Sequence, residues 1–311
     1  MTRQLGAGDL LVLRALGLGD LLAGVPALRG LRRRFPGHRL VLAAPQGTGG
    51  FLQRRGVVDE VLVSHWLDPL DAKGSGHLAV DLHGKGFESR RLLADTDPAD
   101  LLGFATEGFE GPTWVRHEHE VLRWCRLVAA WGARCGPQDL RLGGRVATDG
   151  PVVVHPGAAF EARRWPLERW RAVVAELVGS GHDVVVTGTA DEAGLGADLA
   201  TAGARNRCGA STLEELADLV ASARLVLSGD TGTAHLATAF AVPSVVLFGP
   251  TPPAWWGPAV DTDLHTVLWH GDPAAEDYVG DPHGREVDPT LARITVAEVL
   301  EAADPFLAVT G

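Results

Sequence analysis

Cysteine is scarce in this 311-residue chain, and none of it is paired by spacing. Cys125, Cys135 and Cys208 form no CxxC motif, which argues against a disulfide framework and against a structural zinc site. No hydrophobic run approaches the ~20 residues that span a bilayer. Only Arg3 precedes an apolar stretch that already holds Arg14 and Asp20, so a secretory leader is not expected. The chain also lacks an excess of positive charge. At a net −11 it is a poor partner for nucleic acid. One basic run, Arg32, Arg33 and Arg34, lies between Arg29 and Phe35-Pro36 at a helix end, where cations complement the helix dipole and a solvated terminus is the expectation. The plain expectation is a cytoplasmic enzyme with no transmembrane segment, leaving peripheral membrane contact open.

What is present is a globular composition, 46% hydrophobic and 22% charged, and a length that fits two domains. Arginine outnumbers lysine, and alanine, glycine and leucine abound, a coding bias without functional weight. Asp9 to Leu16 reads as a buried strand, Gly17-Leu18-Gly19-Asp20 as a turn, and Leu21 to Arg34 as a helix. Strands follow at Arg39 to Ala44, Val57 to Val63 and His77 to Leu82, the last running into the polar turn His83-Gly84-Lys85-Gly86. Glu118 to Trp131 has helical spacing. Between Gly132 and Gly150 the period is lost, marking a domain boundary. The alternation then restarts: strands at Pro151 to Val154, His182 to Thr187, Arg224 to Ser228 and Pro243 to Phe248, and helices at Pro166 to Gly179, Asp191 to Ala202, Leu213 to Ala223, Thr231 to Phe240 and Thr295 to Ala303. Such alternation predicts an α/β fold of two Rossmann-like domains, 1–148 and 149–311, whose parallel sheets face across a cleft, with the last helix a candidate to pack back on the first domain. Ligands of such sheets bind at the carboxyl ends of strands.

Four segments at strand ends carry chemistry. Ser228-Gly229-Asp230-Thr231-Gly232-Thr233-Ala234-His235 ends a strand and opens a helix, so free N–H groups, two hydroxyls and a close backbone approach suit a phosphate. A simple cap at Asp230 or Thr231 explains one polar residue but not the run. Leu16-Gly17-Leu18-Gly19-Asp20 is a weaker signal, lacking the third glycine and the acid of a dinucleotide fingerprint, and Asp20 equally suits a helix start. His155-Pro156-Gly157-Ala158-Ala159 leads to Arg163-Arg164-Trp165-Pro166, where two cations stand unfavourably near a helix start and so face either an anion or solvent. Trp165 and Trp170 are expected to pack the helix. Phe248 to Pro258 is a proline-stiffened loop with two tryptophans, suited to a pocket wall or a packing corner.

In order and separation these segments resemble glycosyltransferase family 9: Leu18-Gly19-Asp20, His155-Pro156-Gly157 with Arg163 to Pro166, Asp230 to His235, and Phe248-Gly249-Pro250-Thr251. The resemblance implies a GT-B fold and inverting, metal-independent transfer from a nucleotide-sugar, usually ADP-heptose, with no further cofactor. It implies that Asp20 is the general base, that Arg163, Thr231, Gly232 and Thr233 hold the diphosphate, and that Asp230 and His235 lie near the donor sugar. Glu192 matches the ribose carboxylate, and Gly209, Ser211, Thr212 and Leu213 the adenine pocket. Gly19, His83 and Lys85 are candidates on the acceptor side, in or before a region, Gly84 to Arg116, that also holds Arg90 and Arg91. The acceptor would be a glycan, a lipid-linked sugar or a small molecule.

The chain departs from the family where arginine replaces the phosphate-binding lysine and where Ala158 and Ala159 replace hydroxyl residues of some relatives. Two Asp-x-Asp triplets, Asp95/Asp97 and Asp261/Asp263, lie in polar loops and are read as chance rather than metal sites. The loop Gly271 to Asp288 is read as surface. The alternatives are a GT-B-like transferase or epimerase using a UDP- or GDP-sugar, an NAD-dependent oxidoreductase, and a non-catalytic sugar-nucleotide binder. Asp20→Asn would separate the last of these, by abolishing transfer while sparing ADP binding.

Overall fold

A computed structural model describes residues 2–143 and 149–308. The chain divides into two compact units, Met1–Leu140 and Arg141–Gly311. The division expected between residues 148 and 149 adjoins residues 144–148, which lie outside the described residues.

The first unit runs β1 (Arg3–Gln4), β2 (Asp9–Leu13), α1 (Leu18–Ala23), α2 (Val25–Arg34), β3 (Arg39–Ala44), α3 (Gln46–Arg54), β4 (Glu60–Val63), β5 (Ala72–Lys73), β6 (Leu78–Asp81), α4 (Phe87–Ala94), β7 (Asp100–Leu102) and α5 (Glu120–Ala129). Five of its strands form a parallel sheet in the order β4-β3-β2-β6-β7, and β1 pairs with β5 apart from it. Every residue of β2 is buried, as a central parallel strand covered on both faces requires. From β2 the chain adds strands first on one side and then on the other. The gap between the carboxyl ends of β2 and β6 is therefore the switch point where ligands of such sheets bind.

The single helix expected over Leu21 to Arg34 is two. It starts early, at Leu18, and breaks at Gly24, just before Pro26, which has no N–H to give. Gly24 also lies over a buried arginine: a Cβ there would stand 2.8 Å from Arg14 Cδ. The basic run at the end of α2 is a helix terminus tied to its own unit. Arg32 meets Asp59 at 2.7 Å, Arg33 meets Asp139 at 2.7 Å, and Arg34 Nε donates to the Trp131 carbonyl at 2.9 Å. Helix α3 escaped the sequence reading because three of its nine residues are glycines, poor helix formers. Gly49 is there for packing, since a Cβ would stand 2.9 Å from Val61 Cγ1.

The second unit runs β8 (Val152–His155), α6 (Leu167–Gly179), β9 (Val184–Val186), α7 (Ala193–Ala200), β10 (Arg205–Asn206), α8 (Leu213–Ala221), β11 (Leu225–Gly229), α9 (Gly232–Ala239), β12 (Ser244–Leu247), α10 (Pro253–Trp256), β13 (His265–Leu268), α11 (Pro289–Arg293) and α12 (Val296–Leu307). Its six strands are parallel in the order β10-β9-β8-β11-β12-β13, with the switch point between β8 and β11. Trp165 and Trp170 are buried edge to face, ring centroids 5.0 Å apart, and anchor α6 to the sheet. Val299, Ala303 and Leu307 of α12 join the same core as Val152, Leu225 and Leu247 of the second unit.

Neither Asp-x-Asp triplet is arranged for a cation. Asp95 is bound by Arg91 at 2.9 Å, and Asp261 by Arg141 Nε at 2.9 Å. No cluster of three or more metal-ligating side chains occurs among the described residues. No helix among them is long and apolar enough to cross a membrane.

Candidate functional site

In the first unit, Asp20 stands in the first turn of α1, half-buried, above the switch point. A Cβ added to Gly17 would lie 3.5 Å from Asp20 Oδ2, in ordinary contact with the carboxylate. Gly19 is in the same turn. Beneath it lies Arg14, fully buried, with no role at the site expected from the sequence. Its Nε donates to the Asp20 carbonyl at 2.5 Å, one terminal nitrogen donates to the Leu82 carbonyl, and the other reaches Glu120 Oε1 at 3.3 Å. The guanidinium also stacks on Trp124, 4.6 Å from the ring centre. Glu120 in turn is bound by Arg123 and by Trp124 Nε1 at 2.7 Å. A buried cation with this full set of partners locks the turn bearing Asp20 to the loop after β6. The signal available in sequence was a lone charge within a run of apolar residues.

His83 lies in that second loop. Its Nδ1 accepts from the Ala15 N–H at 3.2 Å, which leaves the ring proton on Nε2, and Nε2 is buried without a hydrogen-bond partner among the described residues. Burial, reinforced by the Arg14 charge, pushes its pKa down to about 4, so the ring is neutral near pH 7. Lys85 is exposed, its ammonium 6.0 Å from the Trp114 ring centre. Arg90 is a correction to the basic acceptor region: it is buried, paired with Asp81 at 3.3 Å and bound to the Phe104 carbonyl, so it braces the sheet. Arg91 is exposed but paired with Asp95.

In the second unit, the loops after β8 and β11 meet the start of α9. Thr231 occupies the N-cap of α9, yet its hydroxyl makes no capping bond; Thr231 Oγ1 is buried without a partner among the described residues. So are Ser228 Oγ at the end of β11 and Arg163 Nε. Arg163 faces Asp230, the closest approach being 3.9 Å, which is a loose pair. Gly232 opens the helix and Thr233 is buried in its first turn. Arg164, by contrast, is consumed locally by the Ala158 carbonyl at 2.8 Å and by Glu161. Of the two cations near the helix start, one therefore faces the candidate anion position and the other is structural. His235 lies edge-on to Trp256, centroids 6.0 Å apart.

Glu192 is 7% exposed, and its Oε2 accepts from Thr189 N at 2.7 Å and Thr189 Oγ1 at 3.0 Å, a capping box. Its other oxygen lies against Gly157, where any Cβ would overlap it. Nearby, His155 Nδ1 is 3.0 Å from Thr187 Oγ1, and burial holds the His155 pKa below its ordinary value against the opposing pull of Glu192. Gly209 takes φ +67° and its N–H donates to the Gly188 carbonyl at 2.9 Å. Thr212 is the N-cap of α8, its hydroxyl accepting from Glu215 N at 3.3 Å, so this side chain starts a helix. Ser211 and Leu213 flank it, half-buried.

The loop 271–288, read as plain surface, clasps the Arg163 segment. Ala162 N donates to the Gly284 carbonyl at 3.2 Å, Asp288 N donates to the Ala162 carbonyl at 3.3 Å, and His283 packs edge-on against Phe160. Val279 N also donates to the Pro250 carbonyl at 2.9 Å, and Tyr278 meets Trp255 at 5.2 Å. The proline loop after β12 is thus a packing corner at Trp255 and borders His235 at Trp256.

Residues 133–278 match the family model of glycosyltransferase family 9 (heptosyltransferase). The chain is 32% identical over 161 residues to lipooligosaccharide heptosyltransferase 2 of Haemophilus influenzae, covering 49% of this chain and 46% of that protein. It is 32% identical over 111 residues to lipopolysaccharide heptosyltransferase 2 of Salmonella typhimurium, covering 33% of this chain and 32% of that protein. The matched segments thus span less than half the length of these two relatives. Among solved structures, a family 9 glycosyl transferase from Veillonella parvula superposes with a TM-score of 0.80 at 17% identity, covering 99% of each chain. The E. coli ADP-heptose lipopolysaccharide heptosyltransferase II superposes at 0.70 and 20% identity, covering 96% of this chain and 98% of that one. The fold is GT-B, two α/β units each built on a parallel sheet. By its matched segment and its relatives, the chain is similar to glycosyltransferase family 9, the heptosyltransferase family, over somewhat less than half its length.

Proposed function

We propose that this protein is an inverting glycosyltransferase that moves heptose from ADP-heptose to an acceptor hydroxyl. The observation that carries the donor reading is a set of buried polar atoms without partners among the described residues, on the segments that lead into α9 and face it: Thr231 Oγ1, Ser228 Oγ and Arg163 Nε. Unmade hydrogen bonds of buried groups are costly, about 1–3 kcal/mol each, and a diphosphate at the helix N-terminus would satisfy them. Arg163, with the amides of Gly232 and Thr233, would neutralise the departing diphosphate, the role a cation plays in metal-dependent transfer. Glu192 would take the ribose and the Gly209 to Leu213 turn the adenine, with Asp230 and His235 near the donor sugar. The ADP-heptose assignment is supported by what the relatives are named for.

In the reaction, the acceptor oxygen bonds to the anomeric carbon as the bond from that carbon to the diphosphate oxygen breaks. The electron pair leaves with ADP and the acceptor proton passes to Asp20. Arg14 grips the Asp20 main-chain carbonyl, so in this reading it positions the turn that carries the base.

A mass-spectrometric binding and hydrolysis screen of ADP-, GDP-, UDP- and dTDP-sugars tests the donor. ADP-heptose should stand out; a preference for another base would replace the donor assignment, and reduction of NAD would replace the enzyme class. Asp20→Asn should abolish transfer and leave ADP affinity unchanged, and retained turnover would remove Asp20 from the base role.

A further inference from the structure

Trp66 is the most exposed large hydrophobic side chain among the described residues, at 65%. It is also one of four non-glycine residues with a left-handed backbone among the described residues, φ +51°, which a bulky side chain adopts at a cost. Neither burial nor local preference explains a tryptophan here. What holds it is Ala15, two residues past the end of β2: the Trp66 N–H donates to the Ala15 carbonyl at 3.0 Å. The Ala15 N–H is the same group that fixes His83 Nδ1. One residue therefore holds the Trp66 backbone and the His83 ring, and the two rings stand edge to face, centroids 5.5 Å apart. The turn bearing Asp20 leaves the same strand a few residues on.

We propose that Trp66 and His83 form the acceptor subsite and that it takes a pyranose ring. The inference rests on the reading of Asp20 as the base for an acceptor hydroxyl. An exposed indole offers a flat apolar face to the C–H side of a sugar, while a neutral imidazole offers one N–H to a ring hydroxyl. His83 Nε2 is suited to donate it, because it carries the proton, has no partner among the described residues and is sheltered from water. In this proposal the exposed indole turns aside to admit a sugar oxygen to it. Holding the ring there sets its hydroxyls at the carboxyl ends of β2 and β6, where Asp20 stands.

The test uses the full chain with ADP present and a panel of methyl pyranosides (gluco, manno, galacto and manno-heptose), read by saturation-transfer NMR. At least one should bind with transfer to its ring protons. Trp66→Ala should weaken it about tenfold or more and Trp66→Phe much less. His83→Leu should weaken it, and His83→Gln, which keeps a donor, should restore part of the loss. ADP affinity, measured alongside by calorimetry, should not move in any of these variants. If no pyranoside binds, if Trp66→Ala binds as the parent does, or if adenosine takes the Trp66 face instead, the subsite is overturned. If pyranoside binds and ADP does not, the subsite stands and the donor reading above is what fails.

Discussion

Gly157 and Glu192 occupy one space: any Cβ on Gly157 would overlap Glu192 Oε1, the oxygen opposite the one bound by Thr189. The glycine of the His-Pro-Gly segment is therefore there to let a buried carboxylate close on the strand end.

Gly157→Ala should destabilise the fold by about 1–3 kcal/mol, the usual range for overpacking, read from the urea midpoint. Combining it with Glu192→Ala should cost less than the sum of the two single changes, because the obstacle is gone. Full additivity would mean that the glycine serves another purpose.

Arg163→Met should lower ADP affinity by about 1.5–3 kcal/mol, the range of a charge-assisted hydrogen bond, and Thr231→Val by about 0.5–1.5 kcal/mol. Isothermal calorimetry with ADP checks both. Arg164→Met serves as the control, since its guanidinium is taken by Ala158 and Glu161, and it should leave ADP affinity as it is.

Replacing Trp66 should not harm the fold. Trp66→Asn relieves the left-handed strain at little cost in burial and should raise stability by up to about 1 kcal/mol in urea denaturation. A marked loss would show the indole to be structural.

Stability should fall as pH drops from about 6.5 to about 4. His265 is buried with Nδ1 2.8 Å from Ser244 Oγ, and burial pushes its folded pKa down to about 4, against about 6.5 when unfolded. Between those values the unfolded chain binds the extra proton, so the stability present above pH 6.5 is lost on acidification, by up to about 3 kcal/mol. His83 adds in the same direction. His265→Gln should be less stable than the parent at pH 7 yet show a shallower loss between pH 7 and pH 4.5; parallel slopes would exclude the histidine as the cause.

Strand after strand was legible in the chain because buried parallel strands are short apolar runs and the turns after them are small and polar. Arg39–Ala44 falls where the pattern put it, and the turns holding Asp20, Arg163 and Thr231 lie at strand ends as read. Helix α3 was not legible, because its glycines serve a close approach to Val61 that no local propensity records.

By itself, then, the order of residues determined the two-unit α/β alternation and put the candidate site residues in loops at strand ends. Tertiary structure alone decided which charges the fold itself consumes. Arg14 meets partners 68 and 106 residues away, Arg90 turns inward while Lys85 stays out, and Arg163 is held by a loop more than a hundred residues on. An arginine in sequence is only a cation; desolvation, and the distant groups that offset it, give it its role.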